Sequence, residues 1–206
     1  MLLLNNQKNT ALLVIDMQKY FLDPASHAYI SSATAIIPRI QKLIPQFETV
    51  IFTRHLNTKE NAKNMSTWWR ELLTKNNPLS ELIPELDQSK ALIMEKAQYD
   101  AFYETDLEKL LHTKGITQIY VTGVTTHLCC ETTARAAFTR GFKVFFDAYA
   151  TATYQEKYHQ ATLTNLAHGF ATIVNRPLLT SPSPLVERGL GPALRSLKSV
   201  GGGEAL

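Results

Sequence analysis

Ile119-Tyr120-Val121-Thr122-Gly123-Val124-Thr125-Thr126-His127-Leu128-Cys129-Cys130 reads as an apolar strand, a glycine turn and the opening of a helix. A strand that feeds straight into a helix is the building unit of a parallel sheet. The two cysteines are the only ones in the chain. At a helix N-terminus the free N–H groups and the macrodipole favour an anion, which lowers a thiol's pKa and makes it a nucleophile. The same N–H groups can hold an oxyanion. The competing reading is that both cysteines are small core residues.

Outward from this segment the chain keeps a βαβα rhythm. Apolar runs predict strands over 11–15, 49–53, 91–95, 118–122, 143–147 and 171–174. Helical patterns fall between them, over 33–47, 66–75, 103–114, 126–140 and 155–168. Gly115, Gly141 and Gly169 each stand where a helix should end. The expected fold is α/β: three layers, with a six-stranded, mainly parallel, Rossmann-like sheet between helices. The stretch 56–86 holds Pro78 and Pro84 and reads as an excursion above the sheet of the kind that forms lids. One domain is expected over 1–180. From Ser181 the texture turns to Ser-Pro and Gly-rich sequence, so 181–206 reads as a linker, an oligomer arm or a vestigial extension, with 191–200 able to form a short helix.

Composition narrows the function. At 206 residues, 45% hydrophobic and 19% charged, the chain can build a substantial core. The net charge of +3 is spread thinly, without the basic stripe that nucleic acid requires. No apolar run approaches the roughly 18 residues that span a bilayer, and Met1–Lys8 lacks the features of a signal peptide. A bridge between adjacent cysteines would be strained, which points to a reducing, cytoplasmic compartment. A small-molecule substrate fits best. A dinucleotide cofactor does not, because Asp16-Met17-Gln18-Lys19-Tyr20 stands where Gly-x-Gly-x-x-Gly would follow the first strand.

Open parallel sheets bind ligands at the carboxyl ends of their strands. Asp16 closes the first strand, Lys96 the third, and Cys129 follows the fourth. Separately, Asp16 reads as a helix cap and Lys96 as a solvated surface charge. Together they form a carboxylate to take a thiol proton, an ammonium to hold both anions, and a sulfur to attack a carbonyl.

These segments resemble the isochorismatase-like superfamily of cysteine hydrolases, which includes nicotinamidases, carbamoyl-amide hydrolases and true isochorismatases. The likeness runs from about Thr10 to about Leu179. It is carried by Ala11-Leu12-Leu13-Val14-Ile15-Asp16-Met17-Gln18, by Glu95-Lys96 with Tyr99-Asp100-Ala101-Phe102 and Thr105-Asp106-Leu107, and by Gly123 to Cys129 with Thr132-Thr133-Ala134-Arg135-Ala136-Ala137. The resemblance implies Asp16 as general base, Lys96 as charge partner and Cys129 as nucleophile. It also implies a non-proline cis peptide between Val124 and Thr125, with the Thr125 and Cys129 N–H groups as an oxyanion hole. Members of the superfamily form dimers, tetramers or larger rings, so a homo-oligomer is expected.

Successive helix residues point about 100° apart, so the motif gives Cys129 to the pocket and Cys130 to the core. None of the six histidines is paired at ligand spacing. Relatives of the nicotinamidase type carry an Asp/His metal cluster after the second strand, where this chain offers only His55. No metal and no cofactor is therefore expected, and nicotinamide becomes a less favoured substrate. Phe21, Tyr99, His127 and one of the pair Trp68 and Trp69 are expected to line the pocket, with core packing or satisfied structural roles as the plainer reading. The function expected is hydrolysis of a small amide or carbamoyl C–N bond through a Cys129 thioester. The alternatives are a true isochorismatase, cleaving a vinyl ether after protonation by Asp16, and a non-catalytic oligomeric scaffold.

Overall fold

The computed structural model describes residues 7–69 and 71–174. The expected tail, 181–206, lies outside them. In chain order the elements are β1 (Thr10–Ile15), α1 (Lys19–Leu22), α2 (Ile37–Leu43), β2 (Thr49–His55), α3 (Met65–Trp68), β3 (Leu92–Lys96), α4 (Leu107–Thr113), β4 (Gln118–Val124), α5 (Glu131–Thr139), β5 (Lys143–Ala152), α6 (Glu156–Gly169) and β6 (Thr172–Val174). The strands form one sheet in the order β3-β2-β1-β4-β5-β6, every pairing parallel.

Strand β1 is buried along its whole length, as a central parallel strand must be. Its alternate residues feed two cores. Ala11, Leu13 and Ile15 pack with Leu107 and Leu111 of α4, Ala134 and Ala137 of α5, and Leu163 and Leu166 of α6. Leu12 and Val14 join Ile36 and, from α2, Ile40 and Leu43, on the other face. The order of strands reverses between β1 and β4, and the crevice at such a switch point is where an open sheet binds ligands. Gly123 is required there. Its φ is +108°, and a Cβ at that position would lie 2.1 Å from the Ile15 carbonyl oxygen.

Several boundaries differ from the sequence reading. The helix expected over 66–75 is the single turn α3, because the excursion spends its backbone groups on tertiary contacts: Asn57 N–H donates to the Leu73 carbonyl at 2.7 Å, and Gln18 bridges to Leu82. The helix expected from 126 opens instead with a π turn, Thr126–Cys130, before α5. The helix expected over 103–114 starts at Leu107, after the Thr105 hydroxyl has turned back to the Ala101 carbonyl at 2.6 Å. Gly115 and Gly141 have the positive φ of helix-ending glycines, whereas Gly169 is the last residue of α6 itself. Among the described residues no helix is long and apolar enough to cross a membrane.

Candidate active site

Asp16, Lys96 and Cys129 arrive from three strands at one buried point. Asp16 leaves β1 with φ +49°, a left-handed conformation that aspartate tolerates better than most residues. Thr53, on the neighbouring β2, fixes it twice. The Asp16 N–H donates to Thr53 Oγ1 at 3.1 Å, and that hydroxyl donates to Asp16 Oδ1 at 2.6 Å. Lys96 ends β3 with its side chain wholly inaccessible to solvent. Its ammonium lies 2.7 Å from Asp16 Oδ2, 3.5 Å from Cys129 Sγ and 2.9 Å from the Gln98 carbonyl oxygen. Three N–H bonds thus face a carboxylate, a sulfur and a carbonyl. A carboxylate oxygen has more than one lone pair, so Oδ2 can face the Lys96 ammonium and still take a proton.

The electrostatics correct one expectation. Burial pushes the Cys129 thiol up to about 12, and the Asp16 carboxylate adds to the rise, against the lowering by Lys96. Desolvation therefore outweighs the Lys96 ammonium, and the resting group is a thiol. Burial acts to raise the Asp16 pKa too, but the Lys96 ammonium, His55 and the Thr53 hydroxyl together hold it below 3.8. Lys96 is held above 10.5 by Asp16 and Cys129 despite its burial. At neutral pH the trio is carboxylate, ammonium and thiol. The bare carboxylate can take the thiol proton only as the sulfur finds an electrophile.

The Val124–Thr125 peptide is cis, and Thr125 and Cys129 are in the wall of a small cavity of about 70 Å³. Phe21, Trp69, Tyr99, Tyr154 and Leu128 give it apolar and aromatic walls. Trp69 Nε1 donates to the Tyr99 hydroxyl at 2.8 Å, bracing two of these rings. Trp68, the other candidate of the pair, is 78% exposed and lines nothing there, since α3 ends at Trp68 and the backbone turns extended at Trp69. His127 is also displaced from the expected role. Two positions before Cys129, it turns to Thr153 Oγ1 at 2.7 Å and stacks on Tyr158, away from the cavity wall. Cys130 is fully buried against the Thr122 carbonyl.

Sequence reasoning gave no role to Thr53, Gln18 or Asn57. Gln18 belongs to the quoted Asp16-Met17-Gln18 segment. Its amide donates to the carbonyls of His55 and Ser80 and accepts from the His55 N–H, tying β1, β2 and the excursion together beneath the site. Asn57 donates to the Ala97 carbonyl, which leaves its Oδ1 to accept from His55 Nε2 at 2.9 Å. Burial and Lys96 lower the His55 pKa to about 4, so its ring is neutral.

Comparison with known proteins places this geometry. Residues 10–177 match the Isochorismatase domain. The chain belongs to the isochorismatase family. Nicotinamidase 3 of Arabidopsis thaliana is 40% identical over 175 residues, which cover 82% of this chain and 86% of that protein. A cysteine hydrolase from Pseudomonas syringae pv. phaseolicola 1448A superposes with a TM-score of 0.73 at 30% identity, over 82% of this chain and 89% of that one. Pyrazinamidase of Pyrococcus horikoshii, solved in complex with zinc, gives a TM-score of 0.72 at 26% identity, over 81% and 98%. The protein is thus an isochorismatase-family hydrolase. Its residues do not fit a metal of that kind. Among the described residues no three His, Cys, Asp or Glu side chains gather to hold an ion; His55 Nε2 is bonded to Asn57, and its buried Nδ1, which has no hydrogen-bond partner, has no second such ligand beside it.

Proposed function

We propose that this isochorismatase-family protein hydrolyses the C–N bond of a small, flat carboxamide through a thioester on Cys129. The observation that carries the reading is the Lys96 ammonium, 2.7 Å from the Asp16 carboxylate and 3.5 Å from the sulfur of Cys129, the member of the trio that lines an aromatic cavity. Asp16 takes the thiol proton as the sulfur bonds to the carbonyl carbon and the carbonyl electron pair moves to oxygen. Negative charge then passes from one contact of Lys96 to the other, so the ammonium stabilises it throughout. The N–H groups of Thr125 and Cys129 are the donors for the new oxyanion. Collapse of this intermediate breaks the C–N bond, and protonated Asp16 returns its proton to the departing nitrogen, releasing ammonia. A water molecule, deprotonated by Asp16, adds to the thioester. The acid leaves and the thiol is restored.

The aromatic walls and the 40% identity to nicotinamidase 3 support nicotinamide as the first compound to assay. Ring contacts with Phe21, Trp69 and Tyr99 need no ion, so the lack of a metal cluster among the described residues does not count against it. With a slow amide, the peptide containing Cys129 should gain the mass of the acyl group. Asp16→Asn should prevent that gain, and Cys129→Ala should abolish ammonia release. Retained activity in Cys129→Ala, with isochorismate cleaved and no adduct formed, would assign the site to vinyl-ether hydrolysis.

A further inference from the structure

Tyr20, His27 and Glu71 also line the cavity, and they come from three separate segments: α1, the loop after it, and the excursion beyond α3. The Tyr20 hydroxyl donates to Glu71 Oε1 at 3.0 Å. The His27 ring bridges the same pair, 3.3 Å from the Tyr20 oxygen through Nε2 and 3.3 Å from Glu71 Oε1 through Nδ1. Tyr20 is buried, whereas the side chains of His27 and Glu71 are 33% and 49% exposed, so the cluster stands on the solvent side of the cavity.

The charge count of the walls has one direction. Among the described residues no lysine or arginine lines the cavity, and Glu71 is the one carboxylate that does. With His27 neutral the cluster carries −1, and with it protonated, zero. Behind Cys129, which is neutral, the charges of the Asp16–Lys96 pair cancel. At neutral pH, where His55 is uncharged, the described residues of these walls therefore carry no net positive charge. The Tyr20 O–H is committed to Glu71, and the two ring nitrogens of His27 face the Tyr20 oxygen and Glu71, within the cluster. Among the described residues an incoming carboxylate would meet the Glu71 carboxylate and no cation within a mostly apolar cavity, where unpaired charge is costly.

We propose that Tyr20, His27 and Glu71 form a charge filter at the entrance of the cavity, admitting uncharged or cationic amides and rejecting those that carry a carboxylate. This rests on the amide reading above and names its substrate class. A dicarboxylate such as isochorismate is refused on the same ground.

Two alkylating reagents that differ by one charge test the filter. The rates at which iodoacetamide and iodoacetate modify Cys129 are read by peptide mass spectrometry, and their ratio is divided by the ratio for free glutathione. The expected normalised ratio favours the neutral reagent by about tenfold in the wild type. Glu71→Gln should shrink it several-fold, and Glu71→Lys should reverse the preference. Tyr20→Phe, which keeps the charge, should retain it. In 1 M salt, where the Debye length is about 3 Å, the wild-type ratio should fall, a response that a merely structural role would not give. A wild-type ratio equal to that of glutathione, or one that Glu71→Gln leaves unchanged, would overturn the proposal. Alkylation needs the thiol proton to pass to Asp16 as the sulfur attacks, but it breaks no amide bond, and dividing one reagent's rate by the other's cancels this shared step, so the result stands whether or not amides are hydrolysed. Failure of the amide reading shows separately, as the absence of an acyl adduct.

Discussion

Replacing Lys96 by methionine removes the one cation that keeps Asp16 ionised in the interior. Both side chains are wholly inaccessible to solvent. At 2.7 Å and an effective dielectric constant of about 20, their attraction is about 6 kcal/mol before the cost of desolvation. Breaking such a pair by removing one partner costs about 3–5 kcal/mol, because the other charge is left buried and unpaired. For a domain of this size the melting temperature should fall by about 10 °C.

The pH dependence makes the test sharper. In the wild type the folded pKa of Asp16 lies below 3.8, so its stabilisation is complete above that value and is lost only in stronger acid. Lys96 is raised above 10.5, so its contribution persists until the pH climbs through that raised value. Between about pH 5 and 9 the pair gives no slope. In Lys96→Met the burial of Asp16 is uncompensated, its folded pKa rises above the unfolded value, and the folded state binds the extra proton. Stability should then increase as pH falls from 7 towards 5, by up to about 1.4 kcal/mol per pH unit. Urea melts at pH 5, 6 and 7.5, on wild type, Lys96→Met, Asp16→Asn and the double variant, measure both effects. The double variant, with neither charge, should lose less than the sum of the singles. A Lys96→Met loss below about 1 kcal/mol, or a stability that declines towards acid, would refute the claim that this ion pair holds the carboxylate ionised.

The remaining expectations concern single positions. Cys130→Ala should keep amide turnover and lose about 1 kcal/mol of stability in a thermal melt, since this thiol is core packing beside a site that it does not enter. Gly123→Ala should lose more than about 4 kcal/mol or fail to accumulate in soluble form, because its Cβ would overlap the Ile15 carbonyl at a φ of +108°. Trp69→Ala should raise KM for an aromatic amide about tenfold, as the ring and its bond to Tyr99 are lost, while Trp68→Ala, on an exposed ring, should leave KM within twofold in the same assay.

Much of the fold was legible because parallel strands write themselves as short apolar runs. Leu12-Leu13-Val14-Ile15 and Ile119-Tyr120-Val121-Thr122 announce central strands, and the residues that follow each run fall at the ligand-binding edge by topology alone. Asp16, Lys96 and Cys129 could be chosen on that basis. The excursion was not legible in the same way. Its 66–75 pattern suggested a helix, yet its backbone is spent on contacts with Gln18 and within the excursion, which local periodicity does not record. Glu71 and Tyr20 are 51 positions apart, and nothing in either neighbourhood foretells their hydrogen bond.

The sign of the Cys129 shift is the most instructive departure. A cysteine at a strand-to-helix turn argues for a lowered pKa, since N–H groups and dipole favour thiolate. That argument holds for a thiol reached by water. Here the π turn seats the sulfur 6% exposed, between a carboxylate and an ammonium whose charges oppose one another, and desolvation decides the balance. A sequence lists the charges near a thiol but not the dielectric around it. The chemical consequence is that nucleophilicity is not stored in the resting protein. It has to be generated when a carbonyl enters, by transfer of the thiol proton to a base that burial alone would have protonated and that Lys96 keeps bare. On this account Lys96 serves Cys129 chiefly through Asp16. Its loss should therefore cost activity at neutral pH by leaving Asp16 protonated, and raising the pH through the raised Asp16 value should restore part of the rate, a recovery set by the carboxyl group and not by the thiol.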